Sequence, residues 1–64
     1  MDQQFFNVYG MMETYDRMGQ VYAQLKAHGL AMSSFQRGLE LSRQLGGYRE
    51  SYFLQKLDKL NRNI

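Results

Sequence analysis

Tyr15-Asp16-Arg17-Met18-Gly19-Gln20-Val21-Tyr22 and Ala31-Met32-Ser33-Ser34-Phe35-Gln36-Arg37-Gly38 are the two stretches whose reading decides the fold. In the first, Tyr15, Met18 and Tyr22 succeed one another at steps of three and four, which returns a side chain to the same face of an α-helix. In the second, Ala31, Phe35 and Gly38 do the same. Strict alternation of apolar and polar residues, the mark of a half-buried strand, is found nowhere in the chain.

Outward from these stretches the helical period extends in both directions. Phe5, Val8, Met12, Tyr15, Met18, Tyr22 and Leu25 form one stripe, which predicts a first helix over about 3–27. Gly10 lies inside it, but a lone glycine costs only about 1 kcal/mol relative to alanine and does not force a break. A second helix is expected over about 30–45, with Ala31, Phe35, Gly38, Leu41 and Leu45 facing inward and Gly46-Gly47 ending it, because glycine takes the left-handed cap conformation freely. Ser33 and Gln36 have the form of a capping box, which would start this helix late. The short connection Lys26–Gly29 suits a tight antiparallel hairpin and favours the early start. A third helix, about 48–61, places Phe53, Leu57, Leu60 and Ile64 on one face and Lys56, Lys59, Arg62 and Asn63 largely elsewhere, so it reads as an amphipathic closing helix.

The sequence is 64 residues long, without proline or cysteine. A chain of this size makes one domain at most and buries roughly 60% of its unfolded surface. With no disulfide and no Cys/His cluster to staple it, help is expected from self-association or from a larger parent protein. Net charge is +2, too weak an excess to imply nucleic acid by itself. The charge is uneven: residues 26–64 carry seven of the eight Lys/Arg. No apolar run is long enough for a membrane span or a signal-peptide core, so a soluble chain is expected, placed in the cytoplasm.

His28, the only histidine, falls in the expected turn without Cys, Asp or Glu at metal-ligand spacing, so no metal site is expected. A nucleophilic site would need His28 beside Ser33, Ser34 or Ser42 with an orienting carboxylate, and helical geometry offers no pocket for them. Gly46-Gly47 lacks the flanking pattern of a phosphate loop. Neither an enzyme nor a cofactor is therefore expected. Arg43, Arg49, Lys56, Lys59 and Arg62 lie near Tyr48 and Tyr52, a combination able to track phosphates and stack bases, so nucleic-acid binding is the second-choice function.

The set Tyr15-x2-Met18-Gly19-x2-Tyr22, then Ala31-x3-Phe35, then Gly38, resembles a tetratricopeptide repeat, whose signature is an aromatic, a Leu-Gly pair and a Tyr on one helix and Ala-x3-Phe on the next. The resemblance covers about half the chain. It implies an all-α antiparallel hairpin over about 12–45, followed by the closing helix, within a single domain spanning 1–64. The chain departs from the family in lacking the proline that would fall at Arg43 and the Gly-Asp turn that would fall at Lys26-Ala27. The absent proline implies a longer second helix, running through Arg43 to Leu45.

Repeats of this kind leave an apolar face for the next repeat to cover. The resemblance therefore implies a protein-interaction or oligomerisation module, part of a larger regulator or scaffold, that joins a repeat array or pairs with a second copy. Phe5, Phe6 and Tyr9 are the expected self-association residues. The family grips a protein or peptide partner along its first helices, which maps onto Glu13, Asp16, Gln20, Ala23 and Gln24; the Lys/Asn set that clamps a terminal carboxylate in chaperone-binding members is missing.

Overall fold

The computed structural model describes the backbone of residues 3–62 and the side chains of residues 7–62. Three helices follow in order: α1 (Gln3–Gln24), α2 (His28–Gln44) and α3 (Glu50–Arg62). The described residues contain no strand, so the protein is all-α. α2 is the central element and packs against both α1 and α3. Gly10 does not interrupt α1, as expected for an isolated glycine. No helix is long and apolar enough to cross a membrane among the described residues.

Both connections open with the same hydrogen-bonded turn. At the end of α1 the Lys26 amide donates to the Ala23 carbonyl (3.1 Å) and the Ala27 amide to the Tyr22 carbonyl (2.8 Å). At the end of α2 the Gly46 amide donates to the Arg43 carbonyl (3.1 Å) and the Gly47 amide to the Ser42 carbonyl (3.0 Å). This is the Schellman arrangement, which needs a left-handed residue just past the helix end. Gly46 supplies it at φ 78, where glycine is at ease, but after α1 the position is held by Lys26 at φ 65.

These turns shift the expected boundaries. α1 stops at Gln24, short of Ala27, because the Schellman bonds consume its last carbonyls. α2 begins at His28, and Gly29 lies in its first turn instead of in the connection. The early start is thus realised, and the Ser33/Gln36 capping box is not used as an N-terminus. α3 begins at Glu50, two residues late, because Tyr48 and Arg49 form the turn into it; Arg49 is itself left-handed at φ 63. The Tyr48 carbonyl is tied down by the hydroxyl of Ser42, which is fully buried.

The core is built on two contacts between a missing side chain and a ring. Phe35 of α2 sits over Gly19 of α1, and a Cβ on Gly19 would lie 2.7 Å from the ring. Phe53 of α3 sits over Gly38 of α2, where a Cβ would lie 2.5 Å away. Since interaxial distance is set by the side chains at the crossing, the two glycines let α1 and α3 close onto α2. Met12, Ala31, Leu39 and Leu60 complete the buried cluster around the two rings, whose centroids are 6.4 Å apart.

One expected face is realised only in part. Of the expected stripe, Met12 is fully buried and Val8, Tyr15 and Tyr22 are partly buried, but Met18 and Leu25 are exposed; Asp16 and Gly19 are buried beside Met12, with Ala23 partly buried. Hydrophobic periodicity counts an aspartate as an outward residue, so it missed the Asp16 side of the buried face. On α2, Ala31, Phe35 and Gly38 are buried as expected, joined by Ser34, Leu39 and Ser42, while Leu41 and Leu45 are only partly buried. On α3, Phe53 and Leu60 are buried and Leu57 is partly so; Ile64 lies outside the described residues.

Candidate partner-binding groove

α3 folds back until its first turn meets the middle of α1, and a polar node fastens the two. Asp16 is 5% exposed, and such a carboxylate is tolerated only with its hydrogen-bonding capacity met. Its Oδ1 accepts from the Tyr52 hydroxyl at 2.7 Å and from Gln20 Nε2 at 3.0 Å. Its Oδ2 faces Arg49 Nη2 at 3.3 Å, while Arg49 Nη1 reaches Glu13 Oε2 at 3.0 Å. Gln20 Nε2 also donates to the Tyr52 oxygen at 3.1 Å. The Arg49 guanidinium lies 4.4 Å from the centroid of the Tyr52 ring, within cation–π range. Burial, then the Asp16 carboxylate, push the Tyr52 hydroxyl above its ordinary value of 10.0, against the opposing pull of Gln20 and Arg49. No buried side-chain polar atom is left without a partner among the described residues.

Beside this node, between α1 and α3, lies a groove of about 330 Å³. Gln20, Ala23 and Gln24 of α1 form one wall, and Lys56 and Lys59 of α3 form the other. Phe35 and Leu60 lie at its floor, and Lys26 and His28 close the end at the α1–α2 turn. Among the described residues the lining holds three lysines and no acidic residue. None of Lys26, Lys56 and Lys59 forms an ion pair among the described residues. Lys56 approaches the Tyr52 ring instead, its ammonium 5.4 Å from the centroid.

The five residues expected to grip a partner therefore divide into two groups. Gln20, Ala23 and Gln24 line the groove. Glu13 and Asp16 are engaged by Arg49 and Tyr52 and serve to hold α3 in place. Sequence reasoning assigned Lys26, His28, Lys56 and Lys59 no part in a groove, since only the return of α3 brings them opposite Gln20 and Gln24. The one available signal was Arg49 and Tyr52, three residues apart at the start of α3, a cation and a hydroxyl able to pair with a carboxylate on another helix.

The basic stripe near α3 is reduced by internal pairing. Arg43 pairs with Glu50 at 3.0 Å, Arg62 with Asp58 at 3.1 Å, and Arg49 with Glu13 and Asp16. On the opposite side of α1, Met11, Met18, Val21 and Leu25 form an exposed apolar stripe, beside a more open depression that Thr14 and Arg17 also line. Of the expected self-association residues, the Phe5 and Phe6 side chains lie outside the described residues. Tyr9 is about one-third exposed and rests against Tyr48, ring centroids 5.8 Å apart. No group of three or more His, Cys, Asp or Glu able to hold a metal occurs among the described residues. No protein-family model matches the chain, and no curated protein or solved structure matches it either.

Proposed function

We propose that the protein is an interaction module of the tetratricopeptide-repeat type, which receives a segment of a protein partner in the groove between α1 and α3. The observation that carries the reading is the groove itself: Gln20, Ala23 and Gln24, placed on the partner-facing side by the repeat resemblance, line it together with residues of α3. The small residues of that resemblance, Gly19, Ala31 and Gly38, lie at helix crossings, as close packing of a repeat requires. On this reading the chain works without a cofactor or catalytic chemistry, in the cytoplasm, as part of a larger regulator or scaffold.

Oligomerisation is the second component of the reading, and the stripe Met11, Met18, Val21 and Leu25 favours it. An apolar face of this kind is what a neighbouring repeat or a second copy would cover. Nucleic-acid binding has less support, because Arg43, Arg49 and Arg62 are neutralised by acids of the same chain.

Two exposed positions separate these roles. Gln24→Trp fills the groove mouth, and Val21→Glu places a charge in the stripe. The intact mass of the complex captured from native extract reads stoichiometry and partner together. Loss of a bound partner in Gln24→Trp alone supports groove recognition, and loss of a second copy in Val21→Glu alone supports the stripe. Identical complexes from both variants and the parent chain would refute the interaction reading.

A further inference from the structure

The charged residues lining the groove are lysines, and one of them is held there at a conformational cost. Lys26, Lys56 and Lys59 come from the α1–α2 turn and from α3, with no acid among the described lining residues to neutralise them. Lysine side chains keep their ammonium groups in water along a shared rim, so their fields add over the groove between them. Lys26 is the second and independent observation. The Schellman position it occupies at φ 65 is the natural place of a glycine, and the matching position after α2 is Gly46. A non-glycine residue kept in this conformation points to a role for its side chain. At Lys26 that side chain lines the groove.

We propose that the occupant of the groove is an acidic segment of a protein partner, its carboxylates met by Lys26, Lys56 and Lys59 and its amide groups by Gln20 and Gln24. This rests on the groove being the partner site. A peptide fits better than a nucleic-acid strand: two lysines line one wall and a third closes the end, while the other wall carries amides suited to a peptide backbone. Of the nearby aromatic rings, Phe35 is buried in the floor and Tyr52 is engaged by Arg49 and Lys56, so neither is open to a base.

The test uses the full chain, isotope-labelled, titrated at about 0.15 M salt with a blocked octapeptide of alternating glutamate and alanine, with its glutamine counterpart, and with a single-stranded deoxyoligonucleotide of equal charge. The expected result is amide shift changes at Gln20, Ala23, Gln24, Lys26, Lys56 and Lys59 with the glutamate peptide alone. Affinity should fall at least tenfold in Lys56→Glu/Lys59→Glu and be unchanged in Arg37→Glu, which lies outside the groove. Lys26→Gly is the decisive variant: it should melt a few degrees higher than the parent chain, relieved of its left-handed lysine, yet bind the peptide more weakly. Lys26→Gly with peptide affinity intact would overturn the role of that side chain. No response to the glutamate peptide at millimolar concentration, shifts spread over all cationic surfaces, or tighter binding of the oligonucleotide would overturn the acidic-peptide assignment. If the native complex survives Lys56→Glu/Lys59→Glu but is lost in Gln24→Trp, the groove holds a partner of other chemistry, and only the present inference fails.

Discussion

The same substitution should stabilise the chain at one glycine and fail to do so at another. At Gly38 an added Cβ would lie 2.5, 2.8 and 3.1 Å from Cε1, Cζ and Cδ1 of Phe53. Carbon atoms prefer separations of about 3.5–4.0 Å, so the ring would have to retreat by about 1 Å. It has little room to do so. Phe53 is fully buried, lies edge-on to Tyr52 at 5.3 Å, and Tyr52 is pinned by Asp16. Overpacking of this kind costs about 1–3 kcal/mol. Replacing glycine by alanine within a helix returns about 1 kcal/mol. Gly38→Ala should therefore be neutral to destabilising by about 2 kcal/mol. At Gly10 nothing among the described residues lies within 4 Å of the added carbon, so Gly10→Ala should keep the whole gain of about 1 kcal/mol. The two variants should differ by about 1–3 kcal/mol, which at roughly 4–8 °C per kcal/mol separates their melting temperatures by several degrees or more. Circular dichroism at 222 nm during heating and during urea unfolding reads the difference directly. If Gly38→Ala proves as stable as Gly10→Ala, α3 does not close onto α2 through this glycine, and the groove that depends on that closure is misplaced.

Two further outcomes follow from the polar contacts. Ser42→Ala removes the buried hydroxyl that donates to the Tyr48 carbonyl and should lower unfolding stability by about 1–2 kcal/mol, read from the urea midpoint. Tyr52 ionises above its ordinary value in the folded chain, raised first by burial and then by Asp16. Because the unfolded chain then loses that proton first, its contribution to stability is complete below about pH 10 and is lost as pH rises through the raised pKa. Tyr9 behaves in the same sense, raised by Glu13 and Tyr48. Melting temperature should therefore fall above about pH 10, and less steeply in Tyr52→Phe, which lacks the Tyr52 share. A fall of equal slope in Tyr52→Phe would remove the Asp16 contact from the account.

How much was legible in the chain differs from element to element. Three helices, their order and the stop at Gly46-Gly47 follow from local causes, namely side-chain period and the left-handed freedom of glycine. The inward set of α2 was legible because Ala31, Phe35 and Gly38 are small or aromatic at one helical step. The face of α1 was legible only in part. Met12 and Gly19 are buried as read, but so is Asp16, and no local rule turns an aspartate inward before its partner Tyr52 on α3 is known. For the same reason Glu13 and Asp16 read as partner-facing residues, although they meet Arg49 and Tyr52.

The sequence by itself determined that this protein is helical, where the chain turns, and which small residues allow rods to approach, because each of these is a property of a few consecutive residues. Tertiary structure alone decided that Asp16 is buried, that α3 returns to α1 through the Asp16 node, and that Lys26, Lys56 and Lys59 share one groove with Gln20 and Gln24. The two lysines of α3 lie some thirty residues from Lys26 along the chain, and side-chain periodicity carries no information across such a distance. Only the seating of Phe35 over Gly19 and of Phe53 over Gly38 brings them together.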